Sequence, residues 1–336
     1  MTAASPTKVL VTGATGFIAS ELVAQLLDKG YTIVATVRNL EKAAFLSQLP
    51  GGHDRLRFVQ LDLLDGLDAF VAAMEGCDAV FHTASPMSGD GEEGIVQPAV
   101  NGVSNVMLAS SQTQSVKTVV LTSSVATIEP QPDPPIKSEA LWSDPEEQRA
   151  RKNFYVLSKT LAERAAWDFM DREAPHFRLV TVLPTMVFGP SRLPGKESTG
   201  SLGFLRDWLI KGREGCCPYY PEGWPHGHFS MVDVRDVCAQ QITCLEHPEA
   251  AGRYLSLVEC DGWTELDKLM REVYPAMPLS APVPEPVVSR FGEPIAHPII
   301  TRWDLSRMQS LGIPTRSVRQ ILQDSVEFFR DRGELQ

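Results

Sequence analysis

No segment of this 336-residue chain approaches 18 uninterrupted apolar positions, so no membrane-spanning helix is expected. The stretch Met1 to Lys8 has no cationic lead into an apolar core. The Val9 to Val11 run is too short for a signal peptide or anchor. A basic cluster is also missing. Lys and Arg total 31 against 42 Asp and Glu, a net charge of −11 spread along the chain, which argues against nucleic acid or an anionic membrane as partner. The six cysteines (Cys77, Cys216, Cys217, Cys238, Cys244, Cys260) include no Cys-x-x-Cys spacing. The adjacent Cys216 and Cys217 read as a reduced pair, and the cytoplasm is the expected compartment. His226 and His228 have no carboxylate or cysteine at ligand spacing, so no metal is expected. There is no internal repeat and no low-complexity tail. The chain is expected to act as a monomer or homodimer on a small molecule.

In the first half, short apolar runs alternate with longer amphipathic ones. Lys8 to Thr12, Thr32 to Arg38, Arg57 to Leu63, Ala79 to Ala84, Lys117 to Ser124 and Phe177 to Leu183 read as strands covered on both faces. Phe17 to Lys29, Leu40 to Gln48, Leu67 to Met74, Ile95 to Ser110 and Gln148 to Arg172 carry helical periodicity. Repeated β-α units predict an α/β fold, a Rossmann-type doubly wound parallel sheet. After Pro184 glycine and proline become frequent, and helices near 203–211, 234–245, 264–273 and 317–330 lack regular strand partners. Residues 1–184 are therefore read as the dinucleotide-binding domain carrying the catalytic residues. Residues 185–336 are read as a smaller, mainly substrate-binding region, some of whose segments return to the core. Seven prolines between Tyr274 and Pro298 predict an extended surface connection.

Gly13 and Gly16 follow a predicted strand and precede a predicted helix, as a phosphate-binding turn requires. Gly13 permits the tight turn, Gly16 a close backbone approach to a pyrophosphate, and Ala19 stands where a third glycine is usual. The second strand ends Val37-Arg38-Asn39 with Lys42 one turn on, and no acid is there to hold a ribose 2′-hydroxyl. Two cations suit a 2′-phosphate, so NADPH/NADP is the expected cofactor. Asp62 can accept from the adenine amino group, and the Leu63 N–H can donate to a ring nitrogen. His82 reads as a satisfied strand-end histidine rather than a base.

Ser124 ends the fifth strand at the carboxyl edge, where ligands of open α/β sheets lie. Tyr155 and Lys159 stand at i and i+4 on one helix face. That spacing is weak alone; its value comes from the glycine turn, the strand-end cations and Ser124. In this reading Ser124 polarises a carbonyl and Tyr155 delivers a proton to it. The Lys159 ammonium lowers the Tyr155 pKa and holds the nicotinamide ribose. Asn101 is a candidate for ordering a relay water.

The stretches Val11 to Ala19, Thr36 to Lys42, Phe58 to Leu63, Phe81 to Pro86, Pro98 to Gly102, Leu121 to Ser124, Tyr155 to Trp167, Leu183 to Pro190 and Val232 to Asp236 carry a resemblance that spans nearly the whole chain. It resembles an extended short-chain dehydrogenase/reductase of the dihydroflavonol-reductase-like branch, with the character of the microbial aldehyde/ketone (methylglyoxal-type) reductases. The resemblance implies Ser124, Tyr155 and Lys159 as the catalytic set and Arg38 and Lys42 at the 2′-phosphate. It places Val187 near the carboxamide and Ser201 near the diphosphate. Thr15, Phe17, Ile18, Thr83, Ala84, Ser85, Thr122 and Pro184 complete the expected cofactor contacts.

Two departures stand out. Cinnamoyl-CoA reductases carry Asn-Trp-Tyr-Cys-Tyr-Gly-Lys where this chain has Asn153-Phe-Tyr-Val-Leu-Ser-Lys159. Flavonoid reductases place an asparagine five residues past the serine, where Glu129 stands here. Both weaken a phenylpropanoid assignment. Glu129, Tyr219 and Trp224 are the expected substrate residues. The function implied is NADPH-dependent reduction of aldehydes and ketones. The alternatives are a nucleotide-sugar epimerase or dehydratase on the same fold, disfavoured by Arg38 and Lys42, and a non-catalytic NADP sensor, disfavoured by the intact Ser-Tyr-Lys set.

Overall fold

The first five strands draw mainly on Val, Ile, Thr, Leu and Ala, residues that suit a pleat buried on both faces. In the computed structural model, which describes residues 7–86, 89, 91–130, 132–195, 200–212, 229–278 and 301–336, they are β1 (Lys8–Thr12), β2 (Thr32–Val37), β3 (Leu56–Gln60), β4 (Ala79–His82) and β5 (Thr118–Thr122). Between them lie α1 (Phe17–Asp28), a 3-10 helix (Glu41–Gln48), the single turn α2 (Gly52–Arg55), α3 (Leu67–Met74) and α4 (Gln97–Gln112), which a π-type turn (Glu92–Val96) precedes. The chain continues through β6 (Ile136–Lys137), α5 (Pro145–Ala150), α6 (Phe154–Glu173), β7 (Arg178–Pro184), β8 (Met186–Phe188), α7 (Gly200–Lys211), β9 (Phe229–Asp233) and α8 (Val234–Glu246). Last come β10 (Gly252–Ser256), β11 (Val258–Cys260), α9 (Trp263–Val273), β12 (Arg302–Trp303), α10 (Ser306–Ser310) and α11 (Val318–Asp331).

The main sheet has seven parallel strands in the order β10-β7-β5-β4-β1-β2-β3. The direction of winding reverses between β1 and β4, and the crevice beyond their carboxyl ends is where a doubly wound sheet takes its ligand. Successive strand residues point to opposite faces. Val9 and Val11 therefore join Leu22, Leu26, Val237 and Ile242 under α1 and α8. Leu10 and Val34 join Phe70, Val103, Val106 and Ala166 under α3, α4 and α6. A third core, with Phe188, Phe204, Trp208, Met231, Ile321 and Phe329, binds α7 and α11 to the small sheet β11-β9-β8.

Several boundaries differ from the sequence reading. The third and fifth strands stop at Gln60 and Thr122, so Asp62, Leu63 and Ser124 lie in turns beyond the ladder. The helix expected over 148–172 is two. Lys152 takes φ 56°, and Asn153 caps a new helix by accepting the Val156 N–H at 3.4 Å, which places Tyr155 in the first turn of α6. Finally, Gly252–Ser256, not read as a strand, pairs with β7 and forms one edge of the main sheet.

Candidate active site

The Gly13 turn and the end of β4 close the crevice floor. Gly13 has φ +65°, and a Cβ there would stand 3.0 Å from the Ala84 Cα and Cβ. Glycine is thus required for backbone angle and for space. Thr12 ties the two strand ends together. Its Oγ1 accepts the Thr83 and Ala84 N–H groups, both at 3.1 Å, while the Thr83 hydroxyl donates to the Thr12 carbonyl. With both lone pairs of Thr12 Oγ1 engaged, its proton goes to His82 Nδ1, 2.8 Å away, which leaves the imidazole proton on Nε2. His82 is buried; burial first, and the Lys159 charge second, pull its pKa down to about 3. It is a neutral, satisfied histidine.

On the other side the turn docks on β2, where Ala14 N donates to Thr36 O at 3.0 Å and Gly13 N to Thr36 Oγ1 at 3.3 Å. Gly16 N returns to Gly13 O, and the first bond inside α1 is Ser20 N to Gly16 O. The N–H groups of Phe17, Ile18 and Ala19 precede that bond and have no helical acceptor, the arrangement that suits an anion at a helix N-terminus. Arg38 and Lys42 are exposed at the end of β2, and neither has a carboxylate partner among the described residues. Asp62 caps its own turn, accepting the Leu64 N–H at 3.0 Å through one oxygen. Gly102 lets α4 close over Leu63, whose Cδ2 would lie 2.7 Å from an added Cβ.

Ser124 stands two residues past the end of β5 and caps a 3-10 turn, its Oγ accepting the Ala126 N–H at 3.1 Å. The Tyr155 hydroxyl shares a hydrogen bond with the Ser124 side chain. Tyr155 is 38% exposed, and the protein packed around it still desolvates its phenol. Burial therefore raises the phenol pKa, the Glu129 carboxylate adds to the rise, and the Ser124 bond opposes it. This corrects the expectation that Lys159 brings Tyr155 down: burial and Glu129 oppose a phenolate more than its neighbours stabilise one, and the hydroxyl holds its proton. Lys159 is half-buried, and the desolvation of its ammonium pulls its pKa down to about 8 against the pull of Glu163.

Around this corner, Thr122 Oγ1 is buried with no hydrogen-bond partner among the described residues. Pro184 ends β7, and Val187 lies buried in β8. Ser201 begins α7 with its hydroxyl 3.8 Å from the Met186 sulfur, and Ser85 is partly buried after β4. Glu129 is buried, its N–H donating to Ser143 Oγ at 2.8 Å. Asn101 stands exposed on α4. Tyr219, Trp224, His226, His228 and the Cys216-Cys217 pair lie outside the described residues. A dinucleotide suits what remains: a backbone cradle that a Cβ would fill, two uncompensated cations at one end, and an orphaned hydroxyl at the other.

Sequence reasoning did not single out Glu163 and Arg253, which stand behind the corner. Glu163 continues the Tyr155, Lys159 spacing by four more residues, a signal present in the sequence. Arg253 has no local signal.

The model of the NAD dependent epimerase/dehydratase family matches residues 9–256. Tetraketide alpha-pyrone reductase 1 of Arabidopsis thaliana is 37% identical, with 98% of this chain and 97% of that protein covered. Cinnamoyl-CoA reductase 1 of the same plant is 35% identical over 97% of this chain and 90% of its own. Among solved structures, the yeast methylglyoxal/isovaleraldehyde reductase complexed with NADPH superposes with a TM-score of 0.77 at 25% identity, covering 98% of this chain and all of that one. The chain belongs to the NAD-dependent epimerase/dehydratase family, the extended short-chain dehydrogenases/reductases.

Proposed function

We propose that this protein reduces aldehydes and ketones to alcohols with NADPH, using Tyr155 as proton donor. The observation that supports it is the buried corner in which the Tyr155 hydroxyl meets Ser124 at the carboxyl end of β5, with Lys159 one turn along α6. Bound NADPH supplies the hydride. Ser124 and Tyr155 hold the carbonyl oxygen between two hydroxyls. As the carbon is reduced, the Tyr155 proton moves to that oxygen, and the protonated Lys159 meets the charge left on the phenolate. A phenol kept protonated by its surroundings is an acid in the state a reduction needs. Arg38 and Lys42 hold the 2′-phosphate, Gly13 to Ile18 the pyrophosphate, and Asp62 and Leu63 the adenine. Thr83 to Ser85, Thr122, Pro184, Val187 and Ser201 line the rest of the cofactor.

The substrate reading is a small to mid-sized carbonyl compound, activated α-dicarbonyls included. It accords with relatives named as pyrone, cinnamoyl-CoA and methylglyoxal/isovaleraldehyde reductases. Glu129, Tyr219 and Trp224 are assigned to the substrate side. Residues 1–184 carry cofactor and chemistry in this reading, and 185–336 mainly the substrate wall. Cys77, Cys238 and Cys244 are buried free thiols, which accords with a reducing, cytoplasmic setting. No helix among the described residues is long and apolar enough to cross a membrane.

The test is NADPH oxidation across aldehydes, α-dicarbonyls, β-ketoesters and aryl ketones, for the wild type and Tyr155→Phe. Turnover should drop by about 10²-fold or more in the variant with little change in NADPH affinity. A variant retaining most of its activity would remove Tyr155 from the mechanism. Efficient turnover of one UDP-sugar or acyl-CoA, with none of the free carbonyls, would overturn the substrate class.

A further inference from the structure

Glu163 is 1% exposed, one of the deepest charges in the molecule. Its carboxylate accepts from four different partners. Ser123 Oγ donates to Oε2 at 2.6 Å, and Thr181 Oγ1 donates to Oε1 at 2.7 Å. Arg253 Nε reaches Oε1 at 2.9 Å, and Trp167 Nε1 reaches the same atom at 3.4 Å. One side chain of α6 is thereby fastened to the residue after β5, to β7 and to β10. Ser123 is the neighbour of Ser124.

Arg253 reaches Ser124 by a second route. Its Nη2 donates to Thr127 Oγ1 at 2.7 Å, and the Thr127 hydroxyl donates to the Ser124 carbonyl at 3.0 Å. Its Nη1 donates to the carbonyls of Glu139 and Leu141 at 2.5 and 2.7 Å, and the guanidinium lies 3.7 Å over the Trp142 ring. Ser124 is therefore gripped on both sides by one ion pair.

The same carboxylate bears on Lys159, one turn earlier on α6. Among the described residues, His82 at the end of β4 also feels that ammonium and is neutral, and Tyr155, one turn earlier on α6, holds its proton. Glu129 acts on Tyr155, and Arg253 is ion-paired to Glu163. Among the described residues, Glu163 is the charge that offsets the desolvation favouring an uncharged Lys159.

We propose that Glu163 is a positioning residue for the catalytic set, its Arg253-clamped carboxylate fixing the strand end that carries Ser124 and supplying the negative charge that faces Lys159. The inference rests on the reading of Ser124, Tyr155 and Lys159 as the catalytic set. Its consequence is directional. Without the carboxylate, Lys159 loses its proton at lower pH, and reduction fails on the alkaline side first.

The experiment is the pH profile of kcat/KM with NADPH and a responsive carbonyl substrate, for the wild type, Glu163→Gln, Ser123→Ala and Tyr155→Phe. In Glu163→Gln the alkaline limb should move down by about one pH unit or more, giving roughly a tenfold loss near pH 8 beyond any loss near pH 6. Ser123→Ala keeps the charge, so kcat should fall several-fold with the limb in place. A limb unmoved in folded Glu163→Gln, or moved equally by Ser123→Ala, overturns the proposal. Where Glu163→Gln does not fold because Arg253 is left unpaired, Glu163→Gln/Arg253→Met removes both buried charges, which is often tolerated. The limb must move in that variant too. An inactive Tyr155→Phe beside an unmoved limb refutes the clamp alone, whereas an active Tyr155→Phe refutes the catalytic reading beneath it.

Discussion

Among the described residues, the carboxylate–guanidinium clusters about Asp233 and Glu163 are built on opposite plans. Asp233 caps α8 and is held by its own near neighbour. The Arg235 N–H and Nε both donate to Asp233 Oδ1 at 2.8 Å, and Nη2 donates to Oδ2 at 2.7 Å before reaching Asp324 on α11. Three residues on, Asp236 accepts from Arg316 ahead of α11. Glu163 instead draws its donors from β7, β10, the β5 end and its own helix. The first cluster folds a short motif upon itself and staples the C-terminal helix to it. The second draws separate elements to the place where the chemistry is proposed. A buried charge pair is thus no sign of a reactive centre by itself; what separates the two is which atoms its hydrogen bonds immobilise.

Asp233 is where the two plans part most widely. Asp233→Ala removes a helix cap and leaves Arg235 short of a buried partner, a loss of about 3–5 kcal/mol of stability. Denaturant unfolding measures it, and activity per folded molecule should stay near wild type. A folded Asp233→Ala protein with collapsed turnover would erase the distinction between the clusters.

His82 sharpens the comparison, being buried beside the site and uncharged. Its folded pKa of about 3 lies below the ordinary 6.5, so between those values the unfolded chain binds a proton that the native one refuses. Its contribution is present above about pH 6.5 and is lost as pH falls toward 3, at up to about 1.4 kcal/mol per pH unit. His82→Gln should flatten the pH dependence of unfolding in that window. An unchanged slope would mean that the imidazole is protonated in the native state.

The smallest effect belongs to the exposed cations. Neutral replacement of Arg38 and Lys42 should raise KM for NADPH by about tenfold, each surface contact contributing about 1 kcal/mol or less, with NADH far less affected. Equal weakening of both cofactors would make the pair structural.

The sheet and most of its helices were legible because both-face burial leaves unbroken apolar runs and helices leave a 3.6-residue stripe. The glycine turn, Arg38, Lys42 and the Ser124, Tyr155, Lys159 spacing could be read for the same reason: each is local. The break at Lys152 was hidden because the periodicity on its two sides nearly matches. The strand Gly252–Ser256 was hidden because it opens with glycine and arginine, and Arg253 points to an anion that only the fold brings near. Burial raises the Tyr155 pKa, and no spacing in the chain announces how deep a hydroxyl will lie.

The edge position of β10 has a consequence for biogenesis. Glu163 and its guanidinium partner are separated by 90 residues. At about 5–20 residues per second, a ribosome finishes α6 several seconds or more before Arg253 emerges. Through that interval the nascent chain holds a carboxylate bound for the interior with no counter-charge, and β7 shows an open edge able to pair with another chain. The last strand to join the sheet thus also neutralises the charge carried by α6. A nascent or truncated chain that stops short of Ser256 should be a target for holding chaperones and proteases rather than a slow enzyme.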